Sequence, residues 1–219
     1  MNYRITVFKK GAIMKIIDAD RKVLFKRING NIEKQYRALV LHEHDLQFCR
    51  NCLRELKSLD FNKQSELAEA YWISCVAQFF KCFGHNKARS TLSASKIFKA
   101  DSGSASDFEY FRALRNKHIV HDENPFSDVL VAITVNASNQ REPFVGLFGA
   151  PIHVFTIETD LARLAGLVKK ALEWVAHRRR NLEEQLTVTY ARWSREKLLA
   201  LPDLEIQPPS DKDVFSTRT

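Results

Sequence analysis

The sequence has few cysteines and no long apolar run. Its four cysteines, at positions 49, 52, 75 and 82, are too few and too unevenly spaced for a secreted disulfide framework. No stretch approaches the roughly 20 apolar residues of a membrane span, and the N-terminus lacks the apolar core of about 7–15 residues that a signal peptide has. We therefore expect reduced thiols and a cytoplasmic protein without a membrane anchor.

Glycine-based motifs are also missing, since the chain holds seven glycines and none forms a Walker-type loop, a GxGxxG or a GxSxG. We therefore expect no nucleotide cofactor and no serine hydrolysis. The string "CRNC", Cys49 to Cys52, has the spacing of half a zinc site or a redox pair, but a structural zinc normally needs four ligands. Buried packing on a helix is the favoured interpretation, and we expect no metal.

Two histidines in the string "HEH", His42 and His44, offer a second candidate for metal binding. In an extended segment both could be ligands, whereas on a helix residues two apart diverge by about 200°. A solvated helix surface is the favoured interpretation.

Charge and apolar content are what the chain does have. The excess of 34 Lys and Arg over 26 Asp and Glu gives a formal net charge of +8, which favours an anionic partner such as nucleic acid without requiring one. The 219 residues are 45% hydrophobic and 11% aromatic, which is enough to bury a substantial core.

Apolar periodicity predicts a mainly α protein with α+β character at the margin. Residues 1–31 resemble a short β preface, in which Tyr3, Ile5 and Val7 alternate with polar residues. A helix is expected over 32–59, kinked or divided at "LHEHD", and a second from an Asn62 cap to Gly84. A Ser-rich connection with one short helical turn leads to a third helix, from about Ser106 to Val120.

The apolar period changes after Pro125. Three runs, "DVLVAITV", "PFVGLFG" and "IHVFTI", predict a small antiparallel β insertion at about 128–157. A helical pattern then extends from Thr159 to about Leu201, as one very long helix or two joined near the basic string "HRRRN". We expect a single domain over 32–201 and a mobile tail over 202–219.

The string "RNKHIVHDEN", Arg115 to Asn124, holds the residues best suited to chemistry. On a helical wheel, Arg115 and His118 fall within about 60° of Phe111, and His121 about 80° away, so the polar cluster continues an apolar stripe. Cleaving RNA without a metal needs a base for the 2′-hydroxyl, an acid for the leaving 5′-oxygen and positive charge for the phosphate. Histidine and arginine supply these functions.

An ordinary structural role is the alternative for these residues. A histidine on an apolar helix face is usually a core residue with a hydrogen bond, and an arginine there often pairs with an acid. The basic residues Arg178, Arg179 and Arg180, with Lys117, are candidates for RNA backbone contact, and a solvated basic face is the alternative for the three arginines.

The string Arg115-Asn116, four further residues and His121, at a helix end in a basic helical protein, resembles the R-x(4–6)-H signature of the HEPN superfamily and its AbiU2-like and related members. The resemblance implies a helical bundle that usually dimerises with its two motifs facing each other. It also implies, in many members, a metal-independent endoribonuclease of toxin–antitoxin or phage-defence systems.

By this resemblance, Arg115 would hold the scissile phosphate, His121 would act as acid or base, and Asn116 would orient them. His118 is an additional catalytic candidate that the signature does not require. The implied partners are RNA, a second copy of the chain, and an antitoxin or regulatory protein. Some members of the superfamily bind RNA or ligands without cleaving, and a non-catalytic binding module is the second hypothesis.

Overall fold

The computed structural model describes residues 14–15, 17–18, 23–85, 88–121, 126–137, 142–154, 156–206, 213–214 and 216. The predicted β positions Tyr3, Ile5 and Val7 lie outside the described residues. The elements, in chain order, are β1 (Met14–Lys15), β2 (Ile17–Asp18), β3 (Val23–Leu24), α1 (Asn31–Ser58), α2 (Ser65–Lys81), α3 (Ala94–Phe98), α4 (Ser102–Leu114), a π-helix (Arg115–Val120), β4 (Ser127–Val135), β5 (Phe144–His153), α5 (Ile157–Ala191), α6 (Arg195–Leu199) and β6 (Glu205–Ile206). The prediction of a mainly helical chain, with a small antiparallel sheet before the last long helix, is confirmed.

The chain divides into two compact units. Unit 1 comprises residues 1–41, 85–91 and 176–219, and unit 2 comprises residues 42–84 and 92–175. None of the helices in the described part of the chain combines the length and apolar character that crossing a bilayer requires.

Unit 1 contains two short antiparallel strand pairs, β1 with β6 and β2 with β3. The segment after β3 is tied to the segment before β6 by a backbone hydrogen bond from Leu204 N to Phe25 O (2.9 Å) and by an ion pair between Lys26 and Asp203 (2.8 Å). The described part of 202–219 is therefore partly paired with the chain's N-terminal region.

Unit 2 is built around an aromatic core, because α2 turns apolar side chains inward at helical spacing. The rings of Phe79 and Phe108 lie 6.3 Å apart, and those of Phe98 and Phe108 lie 5.4 Å apart. Trp72 on α2 meets Phe111 on α4 edge to face, with ring centroids 6.0 Å apart. This packing fixes the face of α4 that leads into the Arg115–His121 segment.

Helix α1 passes through "LHEHD" without a break, so the alternative of two separate helices is not observed. Buried Asp45 accepts a hydrogen bond from Gln78 Nε2 (2.6 Å) and pairs with Lys81 (3.4 Å), both on α2. His42 is buried and His44 is exposed, so the solvated-surface interpretation was wrong for His42. The divergence of the two side chains follows from the helical geometry.

The cap predicted at Asn62 was wrong, because α2 begins at Ser65 and the residue before it, Gln64, makes no side-chain cap. Asn62 instead lies in a turn, where its backbone N–H donates to Asp60 Oδ1 (3.1 Å). Helix α4 begins earlier than predicted, at Ser102, because Asp101 Oδ1 accepts from the backbone N–H groups of Gly103 (3.0 Å) and Ser104 (3.4 Å).

The predicted antiparallel β insertion is a single hairpin of β4 and β5. The second and third apolar runs form one strand, β5, which continues through Pro151. An edge strand tolerates proline, because its outward N–H is not needed for pairing. The last helical segment is divided after Ala191 rather than at the basic string, and Ser194 caps the short α6 that follows.

Candidate functional site

The Arg115–His121 segment does not continue as a regular α-helix. Helix α4 ends at Leu114, and residues Arg115–Val120 form a π-helix, whose i→i+5 hydrogen bonds widen the turn. The prediction of an α-helix from Ser106 to Val120 is therefore corrected over its last six residues. Single π-helical turns within helices occur frequently at functional sites, because the wider turn changes the direction of neighbouring side chains.

Arg115 is the first residue of this π-helix and is only partly exposed. Its Nη1 donates a hydrogen bond to Asn116 Oδ1 at 2.9 Å, so the two side chains form a pair. Its Nε is buried and has no hydrogen-bond partner among the described residues. A buried donor without an acceptor costs about 1–3 kcal/mol, and an oxygen ligand could reach this nitrogen only after a movement of the side chain exposes it.

The two histidines have different environments. His118, within the π-helix, is partly exposed, and its ring meets Phe126 edge to face with centroids 5.7 Å apart. His121 is exposed and follows the π-helix in an extended conformation, with φ −128° and ψ 142°. Within the described part of the chain, His121 makes no hydrogen bond or ion pair. The wheel position predicted for His121 therefore does not apply, because its backbone is not helical.

A partly buried ionic network centred on Asp160 fixes the base of the segment. Asp160, near the start of α5, is buried, and its Oδ2 accepts hydrogen bonds from Tyr110 Oη and Thr156 Oγ1, both at 2.6 Å. Arg163 donates to Asp160 Oδ1 (2.7 Å) and to Asp107 Oδ1 (2.8 Å). Because Asp107 and Tyr110 belong to α4, this network joins α4 to α5 directly before the π-helix.

Sequence reasoning missed this network. The sequence does not single out Asp107, Tyr110 or Arg163, because their pairing depends on two helices separated by about 50 positions meeting side by side. The available signal was the acidic Asp160 beside the apolar stripe of Leu161 and Leu164, since a carboxylate next to a core stripe needs a partner.

The network makes the contribution of Tyr110 to stability depend on pH in the alkaline range. Burial, and then the hydrogen bond to Asp160, raise the pKa of the Tyr110 hydroxyl above its ordinary value. The folded state therefore favours the neutral phenol. The contribution of this neutral hydroxyl to the free energy of unfolding is fully present below the unfolded pKa of about 10. That contribution is lost as the pH rises from there through the folded pKa.

We therefore expect wild-type protein to lose stability faster than Tyr110→Phe above a pH of about 10. Urea unfolding measured between about pH 8 and about pH 11 tests this, and the variant corrects for the chain's other tyrosines and lysines. Parallel loss of stability in the two proteins would show that Tyr110 does not titrate differently in the folded state.

The predicted RNA-contact residues lie in both units. Lys117 in unit 2 and Arg178 and Arg180 in unit 1 are exposed. Arg179 is partly buried, its Nη1 donating to Glu183 (3.0 Å) and lying 3.5 Å from Tyr36 Oη. Arg178 and Arg180 therefore extend into solvent with no ion pair to another described residue, whereas Arg179 has a structural role within unit 1.

The cysteines lie in the core. Cys49 and Cys52 are buried, and Cys49 Sγ donates to the carbonyl oxygen of Cys75 at 3.4 Å. The interaction with Cys75, together with burial, raises the pKa of the Cys49 thiol far above its usual range, and burial raises the pKa of Cys52 to about 11. Both thiols are thus protonated at neutral pH and poorly suited to ligation or attack. Among the described residues, no group of three or more Cys, His, Asp or Glu side chains could hold a metal ion.

In comparisons with known proteins, no family model, no curated protein and no solved structure matches this chain.

Proposed function

We propose that this protein is a metal-independent endoribonuclease of HEPN type, acting in a toxin–antitoxin or phage-defence system. The proposal assigns phosphate binding to Arg115, acid or base catalysis to His121, and orientation of Arg115 to Asn116. His118 is an additional acid–base candidate.

The observation that carries the proposal is the state of the Arg115 side chain. Asn116 fixes the guanidinium through Nη1, while Nε, buried beside it, has no hydrogen-bond partner in the described part of the chain. A guanidinium presents its donors in a planar fork that matches two phosphate oxygens. An arginine that is oriented in advance and remains partly exposed is suited to a phosphodiester, because the negative charge grows during cleavage.

The chemistry needs no group beyond side chains of these types. A histidine acting as base removes the proton from the ribose 2′-hydroxyl, and the resulting oxygen attacks the adjacent phosphorus. The bond from phosphorus to the 5′-oxygen breaks, and that oxygen receives a proton from an acid, which a second histidine or the partner copy would supply. The products are a 2′,3′-cyclic phosphate and a 5′-hydroxyl.

The proposal includes three further elements. The protein would act in the cytoplasm. Its net charge of +8 would attract RNA, and Lys117, Arg178 and Arg180 would contact the RNA backbone. The protein would work as a homodimer controlled by an antitoxin or regulatory protein. The hydrogen bonds of Arg179 to Glu183 and Tyr36 make it a weaker contact candidate than its neighbours.

A non-catalytic binding module is the second candidate function. It is favoured by the exposure of His121, which has no described hydrogen bond to orient it for proton transfer. In such a module Arg115 would hold an RNA phosphate or another anionic ligand without any bond being broken.

Growth of cells that express the protein distinguishes the two candidates. We expect wild-type expression to slow growth and His121→Ala to relieve the effect, because removing the acid or base stops cleavage while the exposed position leaves folding intact. His177→Ala, at another exposed histidine, serves as the matched control. Equal growth with wild type and His121→Ala would favour the binding module.

A further inference from the structure

Most side chains of the β4–β5 hairpin are apolar, and in the described part of the chain most of them are exposed on both faces. Directly opposed residues of an antiparallel pair share one face of the sheet. One face, here called the valine face, has an unbroken apolar surface. It consists of Val129, Val131, Ile133 and Val135 on β4 and of Phe144, Leu147 and Pro151 on β5.

The exposure of the valine face is unusually high for such side chains. Val131 is 75% exposed and Leu147 is 77% exposed, and the other five residues of the valine face are exposed as well. Large contiguous apolar patches on a protein surface mark interaction sites. An isolated two-stranded hairpin is also only marginally stable in water, and it gains stability when its apolar surface packs against another layer.

The low charge of the β4–β5 hairpin favours a second copy of the chain as its partner. Residues 127–153 contain one arginine, one aspartate and one glutamate, and neither lysine, tyrosine nor tryptophan. Nucleic acid and anionic lipid surfaces attract clustered Lys or Arg, and protein surfaces at a membrane interface are enriched in Trp and Tyr. The hairpin has neither clustered basic residues nor Trp or Tyr. Because it is near-neutral, it can face an identical hairpin without like-charge repulsion, although the whole chain carries +8.

The valine face is also self-complementary at its centre. Strand β5 opposes Val131 with Gly149, where an added Cβ would meet no atom within 4 Å. A two-fold axis parallel to the strands places Val131 of each copy over Gly149 of the other. Such an isologous contact is the commonest route to a dimer.

The available area is that of a stable dimer. The seven apolar side chains of the valine face each expose on the order of 100 Å². The face therefore offers on the order of 700 Å² per copy, close to the roughly 800 Å² per partner of a standard stable interface.

We propose that the valine face of the β4–β5 hairpin is a homodimer interface, in which two copies of this chain pack hairpin against hairpin. This inference does not depend on the proposed ribonuclease activity, since it makes no use of the chemistry of Arg115 or His121.

The test is the molar mass of the purified full chain, measured by sedimentation between about 1 μM and about 100 μM, a range that spans ordinary dimer affinities. We expect wild type to dimerise within or below this range. Val131→Glu/Leu147→Glu, and separately Gly149→Glu, should weaken the dimer by at least about 100-fold, because each buries carboxylates in the apolar contact.

Val188→Glu provides the matched control, because Val188 is an exposed valine on α5 outside the hairpin, and it should leave the dimer intact. Circular dichroism and urea unfolding establish that the variants are folded. Three outcomes would overturn the proposal: a wild type that is monomeric throughout, hairpin variants that dimerise like wild type, or a Val188→Glu variant that loses the dimer equally. Because no RNA enters this experiment, a loss of dimerisation and a lack of ribonuclease activity are separate results.

Discussion

Replacing Arg115 or His121 by alanine is expected to lower the rate of RNA cleavage by about 100-fold to about 10,000-fold, the usual effect of removing an acid, a base or a charged transition-state contact. The two losses arise differently. Arg115→Ala removes the guanidinium that Asn116 holds with Nε unsatisfied, whereas His121→Ala removes a proton carrier without changing a described hydrogen bond.

The same assay separates catalysis from positioning. Arg115→Lys should remain strongly impaired, because an ammonium group cannot replace a planar two-pronged donor. Asn116→Ala should lower the rate less than Arg115→Ala, since it frees the guanidinium without removing it. Arg112→Ala is the matched control for arginine loss, because Arg112 is exposed and pairs with Glu109 at 2.6 Å on the surface. Full activity in Arg115→Ala or in His121→Ala would exclude the proposed roles.

The second large effect is on stability and comes from the buried network. Arg163→Met is expected to lower the free energy of unfolding by about 3 kcal/mol, because it leaves the carboxylate of Asp160 in the core without its cationic partner. Asp160 keeps the hydrogen bonds of Tyr110 and Thr156, which limits the loss. The measurement is urea unfolding near neutral pH.

A double-mutant cycle isolates the interaction between the two side chains. Asp160→Asn alone should also destabilise, and Arg163→Met/Asp160→Asn should cost clearly less than the sum of the single changes, with a coupling of about 1–3 kcal/mol. Arg112→Met is the matched control, since an exposed ion pair such as Arg112–Glu109 contributes about 0–1 kcal/mol. Strictly additive losses at Asp160 and Arg163 would contradict a coupled network.

The helices were largely predictable because their apolar spacing is governed by local geometry. Helix α1 matched its predicted range within one residue at each end. The contacts of Gln78 and Lys81 with Asp45, inside "LHEHD", join two helices and are contained in no local pattern. Likewise, the run "DVLVAITV" is typical of a strand buried on both faces. The structure leaves this strand uncovered within one chain, which is the basis of the inferred dimer.

The candidate site was predictable in residue type but not in geometry. The spacing of Arg115 and His121 identified the segment, and the hydrogen bond between Arg115 and Asn116 joins two of the residues that it named. A helical wheel assumes 3.6 residues per turn, so it could not reveal the π-helix or the extended conformation of His121. The structural role of Arg179 was within reach of the sequence, because Glu183 lies four residues further along the same helix.

The central claim is tested most directly by the ends of RNA fragments produced in excess EDTA. Mixed RNA is incubated with purified wild type, and the fragments are analysed for their terminal groups, with His121→Ala as the control for contaminating nucleases. Fragments that carry 2′,3′-cyclic phosphate and 5′-hydroxyl ends, and that are absent with the variant, are the predicted result. Intact RNA with folded wild-type protein, or cleavage that persists in His121→Ala, would contradict the account and leave binding without cleavage as the function of the Arg115 segment.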